Sequence, residues 1–438
     1  MTEVTVTPAA ETARASALGR RSAVVNLFAQ GGALGVVSLA SLIIARSGGA
    51  VVLGDYTLLR VLPWLTGVVL SCGLPVASSY FLGARGGERE LRPTLALLAV
   101  CGALAGSVAW LALVPAMHRL FFAGVSEQLL ALVALAVVTQ LWTVWAKACC
   151  QGTADMRGAN LIILCEELMF LPAYGLALLA GLRGIEAVVA GLIVGGGCAS
   201  AIAVGRLTVT GYFRDWATPS ASLAKSVLGF GARGQLGNLL WLVNLRLDFL
   251  VLAVIAGPAT LGVYAVASKF AELMRLPATA LNYVLYPRFT RQPPAVAARD
   301  ARRLLTRACL LTAAAAPVLA AGSVIVLPLL FGDAFRPAIV PACILLIGLS
   351  VEGAAAVSAA YLWGAGRPGA NSVGMGAGVV LTVAFDLVLI PGHGAVGAAI
   401  ASSIAYLASA GLLSALTWSL SQRVIDETTE SLSDGATS

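Results

Sequence analysis

Charge is what this sequence has least of. Only 11% of its 438 residues are Asp, Glu, Lys or Arg, against roughly 25% in ordinary soluble domains. Histidine is scarcer still: His118 and His393 are the whole complement, each expected in a short loop without a nearby acidic or nucleophilic partner. The eight cysteines (Cys72, Cys101, Cys149, Cys150, Cys165, Cys198, Cys309 and Cys343) lie within or beside apolar runs and form no C-x-x-C pair. Neither a zinc site nor a disulfide framework is indicated, and they read as small buried hydrophobes. No glycine-rich phosphate loop lies in a soluble segment, so no cofactor is expected. The longest polar connection expected outside the cell, around Pro115 to Ser126, is too short to fold as a catalytic domain. The chain is therefore not expected to be an enzyme, and membrane glycosyltransferases, polymerases and ligases are disfavoured.

Apolar residues fill the space that charge leaves, at 59% of the chain. They recur in runs near 20 residues, long enough to cross a hydrocarbon core of about 30 Å. Strands of a membrane barrel would be nearer ten residues and alternate in polarity. The expected fold class is thus an all-α polytopic membrane protein with about twelve transmembrane helices. The runs fall at 23–45, 54–82, 93–114, 127–147, 159–180, 185–205, 233–256, 261–286, 306–330, 338–362, 370–390 and 395–420. Residues 1–22 carry Arg14, Arg20 and Arg21 without a cleavage site and read as a cytosolic leader. Residues 421–438 are polar and mildly acidic and read as a disordered tail.

The net charge of +7 serves topology rather than nucleic acid. With the N-terminus in the cytosol, 19 of the 28 Lys and Arg residues fall in cytosolic segments and only Arg46, Arg119, Arg183 and Arg336 fall outside. The positive-inside rule then predicts an even number of spans with both termini cytosolic.

The chain also repeats itself at a spacing near 210. Leu53-Gly54-Asp55-Tyr56 returns as Leu261-Gly262-Val263-Tyr264, Gly158-Ala159-Asn160 as Gly369-Ala370-Asn371, and Gly184 as Gly394. Six spans per repeat give a parallel repeat about an axis along the membrane normal. The expected organisation is an N-terminal six-helix lobe at 23–205, a cytosolic linker at 206–232 and a C-terminal six-helix lobe at 233–420, with a central cavity between the lobes. That is transporter architecture.

Charges inside spans are costly and mark functional candidates. They are Arg60 in the second span, Arg246 and Asp248 in the seventh, and Lys269, Glu272 and Arg275 in the eighth. Lys269, Glu272 and Arg275 recur every three residues and share a helical stripe. Four cations against two acids leave two cations for a ligand such as a pyrophosphate, which suits the forked donors of arginine. The alternatives are packing ion pairs and snorkelling. Asp248 and Asp386 are candidates for a coupling ion, Na+ or H+, although a buried hydrogen-bonded carboxyl would look the same. Pro63, Pro75, Pro277 and Pro287 are expected to bend the second and eighth spans at corresponding places.

These residues carry a resemblance. Gln235-Leu236-Gly237-Asn238-Leu239-Leu240, Asn244-Leu245-Arg246-Leu247-Asp248, Tyr286-Pro287-Arg288, Phe331-Gly332-Asp333-Ala334-Phe335 and the stretch from Ile390 to Ala401 resemble polysaccharide-biosynthesis exporters, the lipid-linked oligosaccharide flippases. These belong to the multidrug/oligosaccharidyl-lipid/polysaccharide (MOP) exporter superfamily. The resemblance implies two six-helix lobes and export of undecaprenyl-pyrophosphate-linked glycans. By analogy with lipid II flippases, whose cavity cations engage pyrophosphate, it points to Arg60, Lys269 and Arg275. It further implies a bacterial cytoplasmic membrane, membrane lipids and glycan polymerase or ligase machinery as partners, and no nucleic acid. The competing expectation is a drug/cation antiporter of the same superfamily, whose cavity would be dominated by acids.

Overall fold

The computed structural model describes the backbone of residues 8–214 and 217–437. Side chains are described over 28–214, 217–233, 246–278 and 288–429 apart from Pro368, and at Gln235, Leu281, Asn282, Leu285 and Tyr286. The leader arginines, Leu236 to Asn244 and the Pro287 ring lie outside the described side chains. All regular structure among the described residues is helical: α1 Pro8–Leu70, α2 Leu74–Arg85, α3 Leu91–Leu120, α4 Glu127–Gly152, α5 Met156–Leu168, α6 Phe170–Leu179, α7 Gly184–Val209, α8 Ala221–Ala271, α9 Arg275–Arg291, α10 Pro294–Phe331, α11 Ile339–Leu349, α12 Glu352–Gly364 and α13 Pro368–Thr437.

Nine stretches among the described residues are long and apolar enough to cross a bilayer. Three of them contain a sharp break: Phe28–Leu70 at Gly49, Arg246–Ala278 at Gly257, and Gly369–Thr429 at Gly394. Division at these glycines yields the twelve crossings expected, and each glycine falls in a gap the sequence predicts. The backbone explains the residue type. Gly49 (φ 74°, ψ −169°) and Gly257 (φ 81°, ψ 172°) occupy a region that is essentially glycine's alone.

The repeat is written in the same residues. Gly49 and Gly257 are 208 positions apart, and Gly184 (φ 56°) and Gly394 (φ 51°) are 210 apart, the offsets of the sequence motifs. A second pairing is reciprocal. A Cβ on Gly54 would overlap the carbonyl oxygen of Pro258, and a Cβ on Gly262 would overlap that of Ala50. The offset of 208 converts one contact into the other. Glycine in Leu-Gly-x-Tyr is therefore a requirement of backbone-on-backbone packing, the small-residue solution that membrane helices favour.

The bends behave less symmetrically than the prolines suggest. The second crossing breaks at Cys72 (φ 45°) and Gly73 (φ 71°), with Pro75 opening α2. The eighth breaks in a 3-10 turn, Glu272–Met274, just before α9 and Pro277. An offset of 208 does not relate the two.

The chain divides into two compact units. The first holds the described residues up to Ala40 with Leu62–His118 and Gly124–Gln235; the second holds Ser41–Val61, Arg119–Ala123 and the residues from Leu236 onward. Segment 41–61, expected in the first lobe, thus groups with the second. Residues 206–232, expected as a linker, give Leu207, Tyr212, Leu223 and Val227 to the core of the first unit, alongside Phe81, Leu95, Trp145 and Ile162.

In that first unit Asp155 caps α5, accepting from the Gly158 amide at 3.0 Å, and takes both Nε and a terminal nitrogen of Arg206 at 2.7 Å. A Cβ on Gly158 would strike this carboxylate, which explains the glycine of its motif. Lys147 pairs with Glu166 at 3.2 Å. In the second unit Leu285, Phe289, Tyr361 and Leu413 form a core against which Leu420, Val424 and Ile425 pack. That packing corrects the tail: helix continues from 421 to Thr437. Its exposed turns are tied by Gln422 to Asp426 at 2.7 Å and by Thr428 to the Val424 carbonyl at 2.7 Å. His118, expected in a loop, lies in the last turn of α3, its Nδ1 2.8 Å from the Val125 carbonyl oxygen.

Gly54→Leu or Gly262→Leu forces two backbones apart and is expected to cost about 1–3 kcal/mol or more. Thermal unfolding of the purified protein measures this, with Gly102→Ala, whose Cβ meets open space, as the unaffected control. Asp155→Asn is expected to destabilise by about 1–2 kcal/mol at neutral pH. The Arg206 guanidinium, then the Gly158 amide, hold the Asp155 carboxyl below its ordinary value of 3.8. A lowered folded pKa gives stability that is full above the unfolded value and lost as pH falls through the folded one. Unfolding curves should therefore show a constant gap between protein and variant from pH 5 to 8 that closes below about pH 4.

Candidate functional site

The charges named from the sequence gather mainly in the second unit. Arg246 and Asp248 precede the break at Gly257 on α8, and Tyr264 and Lys269 follow it. Glu272 opens the 3-10 turn, where side chains three apart eclipse one another, so Arg275 at the start of α9 shares its face. Glu352 begins α12. Asp386 lies on α13 before Gly394, and Ser402 and Tyr406 lie after it.

Two loose ion pairs organise the cluster. Arg246 lies 3.8 Å from Glu272, and Arg275 lies 3.7 Å from Glu352. Both separations exceed hydrogen-bond reach, so neither arginine has its donors saturated by its carboxylate. Nε of Arg275 is buried without a hydrogen-bond partner among the described residues. Aromatic faces supply further compensation, with Arg246 5.2 Å from the Phe249 ring centroid and Arg275 4.8 Å from that of Tyr406. All four charged side chains keep between 23% and 28% of their surface open, enough for a ligand to reach them.

Asp248 is treated differently. It is almost fully buried and is held by hydroxyls. Tyr264 donates to its Oδ2 at 2.7 Å, Ser402 donates to the same oxygen at 3.4 Å, and the Phe249 amide donates to Oδ1 at 2.9 Å. Asp386 is completely buried, and its two oxygens have no hydrogen-bond partner among the described residues. A bare buried carboxylate is costly unless a proton or cation neutralises it. Among the described residues no group of three or more His, Cys, Asp or Glu could hold a metal ion.

Two expectations change. Glu352 engages Arg275, so the cluster is nearer charge balance than a surplus of two cations, and Asp248 pairs with Tyr264 rather than with an arginine. Arg60 lies on its own helix, its guanidinium 3.2 Å from the Tyr56 hydroxyl and 5.9 Å from that ring's centroid. Lys269 is half-buried. Tyr264, Ser402 and Tyr406 join the cluster without a signal in the sequence beyond the place of Tyr264 in the repeat.

The chain is similar to known proteins at two levels. The profile of a family described as polysaccharide biosynthesis protein matches residues 90–340, more than half of the chain. Among solved structures, an inward-facing multidrug resistance MATE family transporter of the MOP superfamily superposes with a TM-score of 0.72 at 16% identity, over 92% of this chain and 98% of that one. Lipid II flippase MurJ in an inward closed conformation gives 0.71 at 13% identity, over 90% of this chain and 86% of that one. A MOP superfamily transporter from Pyrococcus furiosus, reported to have a binding pocket of reversed polarity, gives 0.57 at 15% identity, over 92% and 96%. At these identities the likeness is one of fold, that of a multi-pass, all-helical membrane protein. No curated protein matches the sequence.

Tyr264→Phe strips Asp248 of its shorter hydroxyl bond and should destabilise the purified protein by about 1–3 kcal/mol. Ser402→Ala, which removes the 3.4 Å contact, should cost less. Equal effects in thermal unfolding would contradict this ranking.

Proposed function

The chain belongs to the polysaccharide biosynthesis protein family, and from that membership we propose that it flips a lipid-linked saccharide across the bacterial cytoplasmic membrane. The carrier is a polyprenyl pyrophosphate, both termini face the cytosol, and the glycan feeds envelope or exported polysaccharide. The single observation behind the substrate class is the state of Arg246 and Arg275. Each stands near a carboxylate but beyond hydrogen-bond distance of it, and the Nε of Arg275 is buried without a hydrogen-bond partner among the described residues. A pyrophosphate offers the oxygens these donors lack.

Glu272 and Glu352 then act as placeholders. They compensate the guanidiniums when no substrate is bound and yield them to the pyrophosphate when it enters. An exchange of this kind needs no net surplus of cations. Lys269 and Arg60 add positive charge along the path. Alternating access carries the loaded site from one membrane face to the other, and no covalent chemistry is involved. Glycan polymerase or ligase machinery receives the product.

Asp386 favours a coupling step. Its buried carboxylate, without a hydrogen-bond partner among the described residues, offers hard oxygens for Na+ or a site for H+. The same observation favours the second reading, a drug/cation antiporter, in which a cation is the cargo.

The test is a deletion strain complemented with the protein or with well-expressed Arg246→Gln, Arg275→Gln, Arg60→Ala or Lys269→Ala. Lipid-linked glycan should accumulate on the cytosolic leaflet in the deletion strain and clear with the parent gene. Arg246→Gln and Arg275→Gln are expected to lower flux at least about tenfold, the loss of one charged hydrogen bond. Unchanged glycan levels with raised sensitivity to cationic drugs would favour the antiporter.

A further inference from the structure

A cavity lies in the second unit, apart from the charged cluster and independent of the transport reading. It encloses about 400 Å³ where α9 and α12 end and α10 begins, against residues 420–427 of α13. Its wall includes Phe289, Gln292, Tyr361, Arg367, Arg423 and Glu427. Helix starts and helix ends both meet here, so backbone dipoles of opposite sign offset one another and the side chains set the preference.

Those side chains are built for an amphipathic anion. Arg367 is fixed by the end of α12. Gly366 turns left-handed (φ 71°), its amide donates to the Trp363 carbonyl at 3.0 Å, and the Arg367 amide donates to that of Leu362 at 2.8 Å. Arg423 enters from α13, and two guanidiniums outweigh the one carboxylate of Glu427. Phe289 and Tyr361 meet edge to face at 5.8 Å and form an apolar floor, with Leu420 and Val424 beside them. Gln292 supplies the remaining observation. Its Nε2 donates to Asp300 at 3.0 Å, while its Oε1 is buried with no donor among the described residues. An orphaned buried acceptor calls for a hydroxyl or N–H from elsewhere.

We propose that this cavity binds a hydroxyl-bearing phosphate ester. Arg367 and Arg423 hold the phosphate, Gln292 Oε1 accepts from the hydroxyl, and the apolar floor takes the carbon skeleton. The cavity lies where apolar helices meet the arginine-rich face that the charge bias assigns to the cytosol. A glycerol-phosphate lipid headgroup and a free glycerol phosphate share this chemistry.

The experiment uses the full chain purified in neutral detergent and follows its melting temperature. Probes are short-chain phosphatidylglycerol, short-chain phosphatidylcholine and glycerol 3-phosphate. Variants are the double Arg367→Gln/Arg423→Gln and, separately, Ala365→Asp, which sets a carboxylate into the wall without removing an arginine. Arg367, Arg423 and Ala365 are exposed, so both variants are expected to fold. Phosphatidylglycerol should raise the melting temperature, phosphatidylcholine should not, and each variant should raise the half-saturating concentration at least roughly tenfold. If glycerol 3-phosphate matches phosphatidylglycerol and the variants abolish both responses, the site stands and its ligand is a soluble ester. Equal responses to the two lipids, or a phosphatidylglycerol response unchanged in both variants, would overturn the proposal.

Discussion

Asp248 and Tyr264 are 16 residues apart on one continuous run of helix, and along a straight helix they would be separated by about 24 Å. They meet at 2.7 Å because the chain reverses at Gly257. The same reversal brings Glu272 to Arg246, 26 positions away in sequence. Only glycine accepts the backbone angles at that point without strain of order 1–3 kcal/mol. The reversal is also what lets Gly54 and Gly262 approach the carbonyls of Pro258 and Ala50. One backbone conformation thus assembles the compensated charges and locks the neighbouring crossing in place.

Compensation is the second constraint. A charge within an apolar helix is costly unless protein meets it, and the second unit meets it to three different degrees. Arg246 and Arg275 have aromatic faces and loosely placed carboxylates, Asp248 has hydroxyls and an amide, and Asp386 has no hydrogen-bond donor among the described residues. Loose pairs are easily exchanged for a ligand, whereas the well-bonded Asp248 is suited to hold its geometry. The gradation from tight to unsatisfied is what makes an exchange mechanism physically reasonable, because the groups expected to move are those with least to lose.

Much of the fold was legible because hydrophobic length, lysine and arginine bias and repeat spacing are properties of the chain itself. Gly49, Gly257 and Gly394 fall in gaps that the apolar runs leave. Pairing was not legible. Glu352 is 77 positions from Arg275, and nothing in either segment announces their meeting. Tyr264 looked like part of a packing motif, since a tyrosine in an apolar run gives no sign of its hydrogen bond. The start of the tail was hidden for a related reason: its polar composition outweighs Val424 and Ile425, which pack against the core beside Leu420 of the last span. Segment 41–61 follows its contacts rather than its place in the chain.

The central claim is that loosely paired arginines exchange their carboxylates for a pyrophosphate during transport. The most direct measurement is flipping of a fluorescent polyprenyl-pyrophosphate saccharide by the purified protein in liposomes, compared with its Arg246→Gln/Arg275→Gln form and with a neutral polyprenol saccharide. The pyrophosphate substrate is expected to flip, the double variant to lose that flipping, and the neutral lipid to move little. Equal transport of both lipids, or full activity without the two arginines, would contradict it.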